Sequence, residues 1–327
     1  MTENASEPPL ESDRAAEHIE TILETLSESV IATESFLETV LTGSLAKQHV
    51  LIEDVPGTGK TLTARLLADA LGLEFSRIQF TPDLLPSDIT GSTIFNEETN
   101  SFEFNEGPVF SNIVLADEIN RAPPKTQAAL LEVMEEKQVS TGDITRPLPD
   151  PFFVIATQNP VEQEGTFELP ESQRDRFMIK TSIGYPDETA ERELLDRRLD
   201  RRTAAPTIEQ VLDLETFTTL QTVPEYIHVA SEIRDYIVNI GRTTRTDDRV
   251  EVGVSPRGIQ RLLEATRARA VIRGREFVVP DDVKSLAPAV FAHRIVVSSA
   301  ALIEGTTRTE IIEDVLENIE VPAMESS

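Results

Sequence analysis

A three-residue apolar run at positions 50–52, Val-Leu-Ile, gives way within two residues to Asp54-Val55-Pro56-Gly57-Thr58-Gly59-Lys60-Thr61, and that loop opens directly into an apolar-periodic stretch over residues 60–71. Strand, glycine turn and helix in immediate succession commit the chain to a layered α/β fold. Four further runs of strand length follow, at 75–80, 113–116, 152–157 and 178–183, with helix patterns between most of them, notably 126–136. Strands alternating with crossover helices predict a largely parallel sheet covered on both faces.

Ahead of the first strand, residues 14–45 place Ile19, Ile22, Leu23 and Leu26 at helical spacing, which predicts two helices. From Asp187 onward strand patterns vanish, and amphipathic helices are expected over 187–200, 207–220, 225–240, 256–273, 280–291 and 308–318. The expected division is a tail at 1–13, an αβα core at 14–202, an all-α lid at 203–320 with its hinge near Thr203 to Pro206, and a second tail at 321–327. Two stretches interrupt the alternation. Residues 93–105 set Phe95, Phe102 and Phe104 around a polar segment, and residues 139–147 centre on Gly142-Asp143. Each predicts a β-hairpin, either an ordinary excursion from the sheet or a functional insert.

The loop after the first strand resembles a Walker A motif. The plain pattern G-x-x-x-x-G-K-[ST] has glycine where this chain has Asp54, yet the physical requirements survive. Gly57 and Gly59 let backbone amides close on phosphate oxygens, with Pro56, Thr58 and Leu62 completing the cradle. Lys60 supplies a point charge to the β/γ oxygens and Thr61 a hydroxyl to Mg²⁺, while the helix that starts there turns its positive end to the same anion. A helix-capping glycine turn with an exposed lysine is the plainer alternative.

A second strand, 113–116, ends in Asp117-Glu118 and resembles Walker B. Asp117 is expected to hold Mg²⁺ through its water shell, and Glu118 to orient and deprotonate the attacking water. Strand 152–157 runs into Gln158-Asn159-Pro160, where the Asn159 amide is placed to bond the γ-phosphate or the water, the role called sensor 1; a routine turn reads the same. Gln79 is a candidate to restrain Glu118, or a solvated strand residue.

Acidic residues outnumber basic ones 58 to 30, giving a net charge of −28, and only six of the basic residues are lysines. This composition suits solubility in a very salty cytoplasm, where salt screens the charges; a partner-repelling surface is the other reading. Either way it is a poor general ligand for nucleic acid. Cysteine is absent and the four histidines are scattered, so no disulfide framework or zinc set is expected. No apolar run approaches the roughly 20 residues of a membrane helix, and residues 1–11 are polar and acidic, so a cytoplasmic protein is expected.

With these residues in hand, the chain resembles the MoxR family of AAA+ ATPases over roughly residues 15–320. The stretches that carry the resemblance are 51–61, IQFTPDLLPSDITG at 78–91, ADEINRAP at 116–123, ATQNP at 156–160, LPESQRDRF at 169–177 and VSPR at 254–257. The resemblance implies an AAA+ core with strand order 5-1-4-3-2, a helical lid, a homo-oligomeric ring of six, and ATP held between neighbours. It implies that Arg176 is an arginine finger, with Arg174 the competing candidate because the family more often has an apolar residue there. Arg257, after the Ser255-Pro256 helix start, would be sensor 2, facing the nucleotide from the lid. Val30 and Ile31 stand where the family lines its adenine pocket, and serve equally as helical core.

The resulting expectation is Mg²⁺-dependent ATP hydrolysis driving chaperone-like work on protein complexes, with a von Willebrand factor A domain protein as a partner the family suggests. A nucleic-acid motor would want basic pore loops, and residues 93–105 contain neither lysine nor arginine. A scaffold that binds ATP without turnover has no use for Glu118 and Asn159.

Overall fold

The computed structural model describes residues 10–142, 144–160, 165–203 and 205–322. Its centre is a five-stranded sheet of β1 (His49–Glu53), β2 (Phe75–Gln79), β3 (Ile113–Asp117), β4 (Phe153–Gln158) and β5 (Phe177–Thr181). The strands lie in the order β2-β3-β4-β1-β5, all pairs parallel, which is the expected 5-1-4-3-2 arrangement. β3, β4 and β1 are the inner strands and read as apolar runs because both their faces are covered. β2 is an edge strand, and its register sets Gln79 beside Asp117.

Parallel register gathers the strand ends that carry polar residues. Glu53 pairs with Gln158, and Ala116, just before the acid pair, pairs with Ala156. These C-terminal ends form one rim of the sheet, where open α/β folds bind ligands. Helix α3 (Lys60–Ala70) leaves that rim from Gly59, and α4 (Pro124–Glu136) follows β3 across the other face. Two apolar clusters fill the two sides. One joins α1 (Ser12–Ser29), α2 (Glu34–Leu45) and α3 to the C-terminal helices, and the other packs α4 on β3 and β4.

The C-terminal region contains α5 (Glu188–Asp200), α6 (Leu214–Leu220), α7 (Ser231–Thr243), α8 (Pro256–Ile272), α9 (Pro280–Phe291) and α10 (Arg308–Asn318). Ser255 caps α8 by accepting the Gly258 N–H at 3.2 Å, with Pro256 in the first turn. Two buried ionic anchors fasten this region to the core. Glu38 of α2 meets Arg273 at 2.8 Å and Arg269 at 3.4 Å, and Arg294 holds Asp175 at 2.7 Å while donating to the carbonyls of Phe177 and Met178.

Several sequence expectations need correction. Strands do not vanish after Asp187: Val250–Val252 pairs antiparallel with Val296–Val297, segments too short to show a period. The helix expected from 207 begins at Leu214, where Asp213 caps it; before that, the Val211 and Leu212 amides bond the Ala70 carbonyl and bind the segment to α3. The helix expected from 225 begins at Ser231, after a 3₁₀ turn at Val223–Tyr226 that contains Pro224. Helix α1 starts at Ser12, inside the stretch expected as a tail. Residues 1–9, 323–327 and the hinge residue Ala204 lie outside the described residues.

Both hairpins form. Gly91–Asn96 pairs with Ser101–Glu106, and Gln138–Thr141 pairs with Ile144–Pro147, Asp143 lying outside the described residues. Arg146 of the second hairpin lies 4.0 Å over the Phe104 ring of the first, so the two form one projection.

Candidate functional site

The loop between β1 and α3 is built around its two glycines. Gly57 and Gly59 have φ of 90° and 93°, a region that side chains with a Cβ rarely enter, and the space beside both is clear. Asp54 has an ordinary φ, which is why it can replace the first glycine of the pattern. Its buried carboxylate accepts the Val55 N–H at 2.8 Å through Oδ1, and those of Ile183 and Gly184 at 2.8 Å through Oδ2. The loop is thereby tied to the chain leaving β5. Lys60 Nζ lies inside the loop and donates to the Asp54 and Val55 carbonyls, both at 2.8 Å. Burial lowers its pKa, an effect opposed by Asp54, Asp117 and Glu118.

The acid pair meets this loop. Thr61 Oγ1 donates to Asp117 Oδ2 at 3.5 Å. The buried Thr157 hydroxyl donates to Asp117 Oδ1 at 2.6 Å and accepts the Glu118 N–H at 2.9 Å, so one side chain of β4 positions both acids. Glu118 sits at φ 57°, ψ 49°, a left-handed conformation that costs a non-glycine residue about 1 kcal/mol. That turn sets its carboxylate beside Gln79 of β2 and Arg121 of the segment after β3. There it accepts from Gln79 Nε2 at 2.8 Å and from Arg121 Nη1 at 3.0 Å. Asp117 Oδ2 also accepts from Arg77 Nε at 3.1 Å and Nη2 at 2.6 Å. A hydroxyl and a carboxylate at this separation are hard oxygen donors, a set that a hydrated divalent ion such as Mg²⁺ accepts. Among the described residues no group of three or more His, Cys, Asp or Glu side chains is arranged to hold a metal ion by itself.

Asn159 is buried at the end of β4 and borders a cavity of about 590 Å³ with Glu53, Gln158 and Arg174. Arg174 is mostly buried there, and desolvation, followed by the charge of Arg308, lowers its pKa. Val30 belongs to the apolar core, at 3% exposure.

Arg176 and Arg257 lie elsewhere. Arg176 Nη2 bonds Glu135 Oε2 at 2.9 Å, and Arg257 Nη1 stands 3.7 Å from Glu135 Oε1. Both line a cavity of about 450 Å³ whose other cations are Lys47, Lys137, Arg261 and Arg267. The cavity opens at the start of β1 and the end of α4, the opposite rim of the sheet, and five residues of strand span about 16 Å. Arg257, expected to face a nucleotide from the lid, thus lies away from this chain's own nucleotide loop: α8 packs on α2 and β5, which carries its first turn to the far rim.

A family model described as the ATPase family associated with various cellular activities (AAA) matches residues 49–179, and one described as the AAA lid domain matches 242–315. The chaperone MoxR1 of Mycobacterium tuberculosis is 41% identical over 90% of this chain and 79% of its own length. The chain belongs to the MoxR family of AAA+ ATPases. YeaC of Bacillus subtilis is 47% identical over 88% of this chain and 89% of its own. A crystal structure from Cytophaga hutchinsonii, described as that of a candidate ATPase, has a TM-score of 0.89 at 37% identity, covering 95% of this chain and 97% of that one. Nucleotide binding and ATP hydrolysis come with MoxR-family membership.

Within this MoxR-type core, sequence reading selects Lys60, Thr61, Asp117, Glu118 and Asn159, and the fold brings all five to one rim. It misses Arg77, Thr157, Arg121 and Glu135. The only available signal for Arg77 is its alternation with Gln79 on the strand beside the acid pair. Glu135 has none, since a glutamate ending a helix is commonplace.

Proposed function

We propose that this chain is a Mg²⁺-dependent ATPase motor working as a closed ring, six subunits in the family pattern, in which each ATP is cradled by one subunit and completed by arginines of the next. The observation that carries the reading is the division of charged groups between two rims. Lys60, Thr61, Asp117 and Glu118 converge on one rim, while Arg176 and Arg257 share Glu135 on the other. Within one chain those arginines have no phosphate to reach; in a head-to-tail ring they face a neighbour's.

The backbone amides of residues 56–62 close on the phosphate oxygens, and Lys60 leaves its carbonyl partners to meet the β/γ oxygens. Thr61 and Asp117 would hold a hydrated Mg²⁺, whose charge would offset that of the phosphates. Glu118 takes the proton of the attacking water and Asn159 orients that water. Arg176 acts as the finger. Arg257 acts from the lid in trans beside it, and buried Arg174 serves the Asn159 side of the same chain.

Work on protein clients, as the name of the mycobacterial relative says of that protein, is supported here by the hairpin projection. Its first hairpin exposes Ile94, Phe95 and Phe102 and has no lysine or arginine on either strand. No helix among the described residues is long and apolar enough to cross a membrane. The charge of −28 supports working in concentrated salt, where assays belong.

The test is subunit mixing in molar salt. Arg176→Ala and Glu118→Gln should each bind ATP and fail to hydrolyse it alone, while mixtures should regain part of the activity, because finger and base then meet across an intact boundary. Absence of recovery at every ratio would refute the shared site.

A further inference from the structure

We propose that Arg77 is a positioning residue that competes with Mg²⁺ for Asp117 and, through Gln79, couples metal binding to the release of Glu118. The inference rests on the assignment of Asp117 and Glu118 above and goes beyond it.

Arg77 and Gln79 are two residues apart on edge strand β2 and so project from one face, with Gln79 in register with Asp117. The guanidinium takes a single carboxylate oxygen, Asp117 Oδ2, with both Nε at 3.1 Å and Nη2 at 2.6 Å. That is the oxygen facing Thr61 Oγ1; the other, Oδ1, is already held by Thr157 at 2.6 Å. A hydrated Mg²⁺ between Thr61 and Asp117 needs the same oxygen. A guanidinium beside a divalent cation is repelled, so the two arrangements exclude each other.

The second half of the coupling follows from donor and acceptor chemistry. Arg77 Nη2 also donates to Gln79 Oε1, and a guanidinium can only donate. The amide oxygen of Gln79 must therefore point at Arg77, which leaves its Nε2 to donate to Glu118 Oε2 at 2.8 Å. Arg77 thus sets the orientation in which Gln79 restrains Glu118. When Arg77 leaves Asp117, Gln79 is free to turn, and Glu118 keeps only its contact to Arg121. The geometry permits the movement: the Arg77 side chain is 46% exposed and lies at the sheet edge. An ion pair this exposed is weak, which suits a contact that an incoming ion must displace.

The test uses the full chain in molar potassium chloride and follows the affinity of a fluorescent ADP analogue during Mg²⁺ titration, a readout independent of turnover. Arg77→Ala should lower the Mg²⁺ midpoint about threefold, Arg77→Lys should fall between it and the parent, and Gln79→Ala, which removes one acceptor of Arg77, should lower it by less than Arg77→Ala while raising basal turnover. A midpoint that stays or rises in Arg77→Ala, with an unaltered thermal transition, overturns the proposal. Asp117→Asn separates the two levels. If it abolishes the Mg²⁺ dependence of ADP binding, the metal assignment stands whatever Arg77 does; if it leaves that dependence intact, the assignment itself has failed and the competition falls with it.

Discussion

Asp54 Oδ2 accepts the backbone N–H of Gly184 at 2.8 Å, and with its contact to Ile183 this joins the nucleotide loop to the end of β5. The aspartate stands where the plain phosphate-loop pattern has glycine, so its carboxylate replaces a conformational role with a bonding one. Asp54→Gly, which restores the pattern by letter, is expected to harm the protein. It strands the amides of Val55, Ile183 and Gly184, at about 1 kcal/mol or more each when partly buried, and adds backbone freedom to a loop that must be preorganised. Thermal unfolding should show the loss, and ATP affinity should fall with it.

Glu118 and Lys60 should separate cleanly in experiment. Glu118→Gln keeps the shape and the Gln79 side of the network but removes the base, so ATP binding should persist while kcat falls about 10²- to 10⁴-fold. Lys60→Ala removes the only cation inside the loop, which holds two carbonyls at 2.8 Å, and should lose nucleotide binding itself. Equilibrium binding beside steady-state hydrolysis distinguishes the two. Undiminished turnover in Glu118→Gln would remove that carboxylate from the chemistry.

What was legible in the sequence follows from how local each signal is. The five strands, α3 and the hairpins were readable because each announces itself within a dozen residues through period, glycine or an acidic strand end. Thr157 was not, because a threonine in an apolar strand looks like core until parallel register puts its hydroxyl 2.6 Å from Asp117. Arg257 was legible with its helix cap but the rim it occupies was not, because the placement of α8 depends on the pairing of Glu38 with Arg269 and Arg273, 231 and 235 residues away in the chain. Short segments such as Val250–Val252 carry too few positions for any period to emerge.

The Glu38 anchor itself is testable. The carboxylate is 1% exposed, and burial raises its pKa against the opposing pull of Arg273 and Arg269. Glu38→Ala leaves the largely buried Arg269 with only Asp282 at 3.8 Å and frees α8 from α2. A loss of about 3 kcal/mol is expected, discounted toward 2 because Arg273 is half exposed. Denaturant unfolding measures it, and a double-mutant cycle with Arg273→Ala should show coupling between the two sites.

Acid should weaken the fold through a histidine at the far rim. His49 is fully buried, accepts the Val154 N–H at 3.0 Å through Nδ1, and lies 3.2 Å from the Met134 carbonyl through Nε2, a pairing that fits only the neutral ring. Burial, more than the nearby charges of Lys137 and Arg261, lowers its pKa from 6.5 to about 4. The unfolded chain therefore binds a proton that the folded chain refuses between those values. The contribution of this group to stability is complete above pH 6.5 and is lost as pH falls toward 4, a change of about 3 kcal/mol by linkage. His49→Gln can keep a donor and an acceptor without titrating. It should flatten the slope of unfolding free energy against pH in that window, measured at constant molar salt so that the acidic surface contributes the same background to both proteins. If parent and variant run parallel from pH 6.5 to 4, His49 is not the group that refuses the proton, and the neutral ring between β4 and α4 is a misreading of that contact.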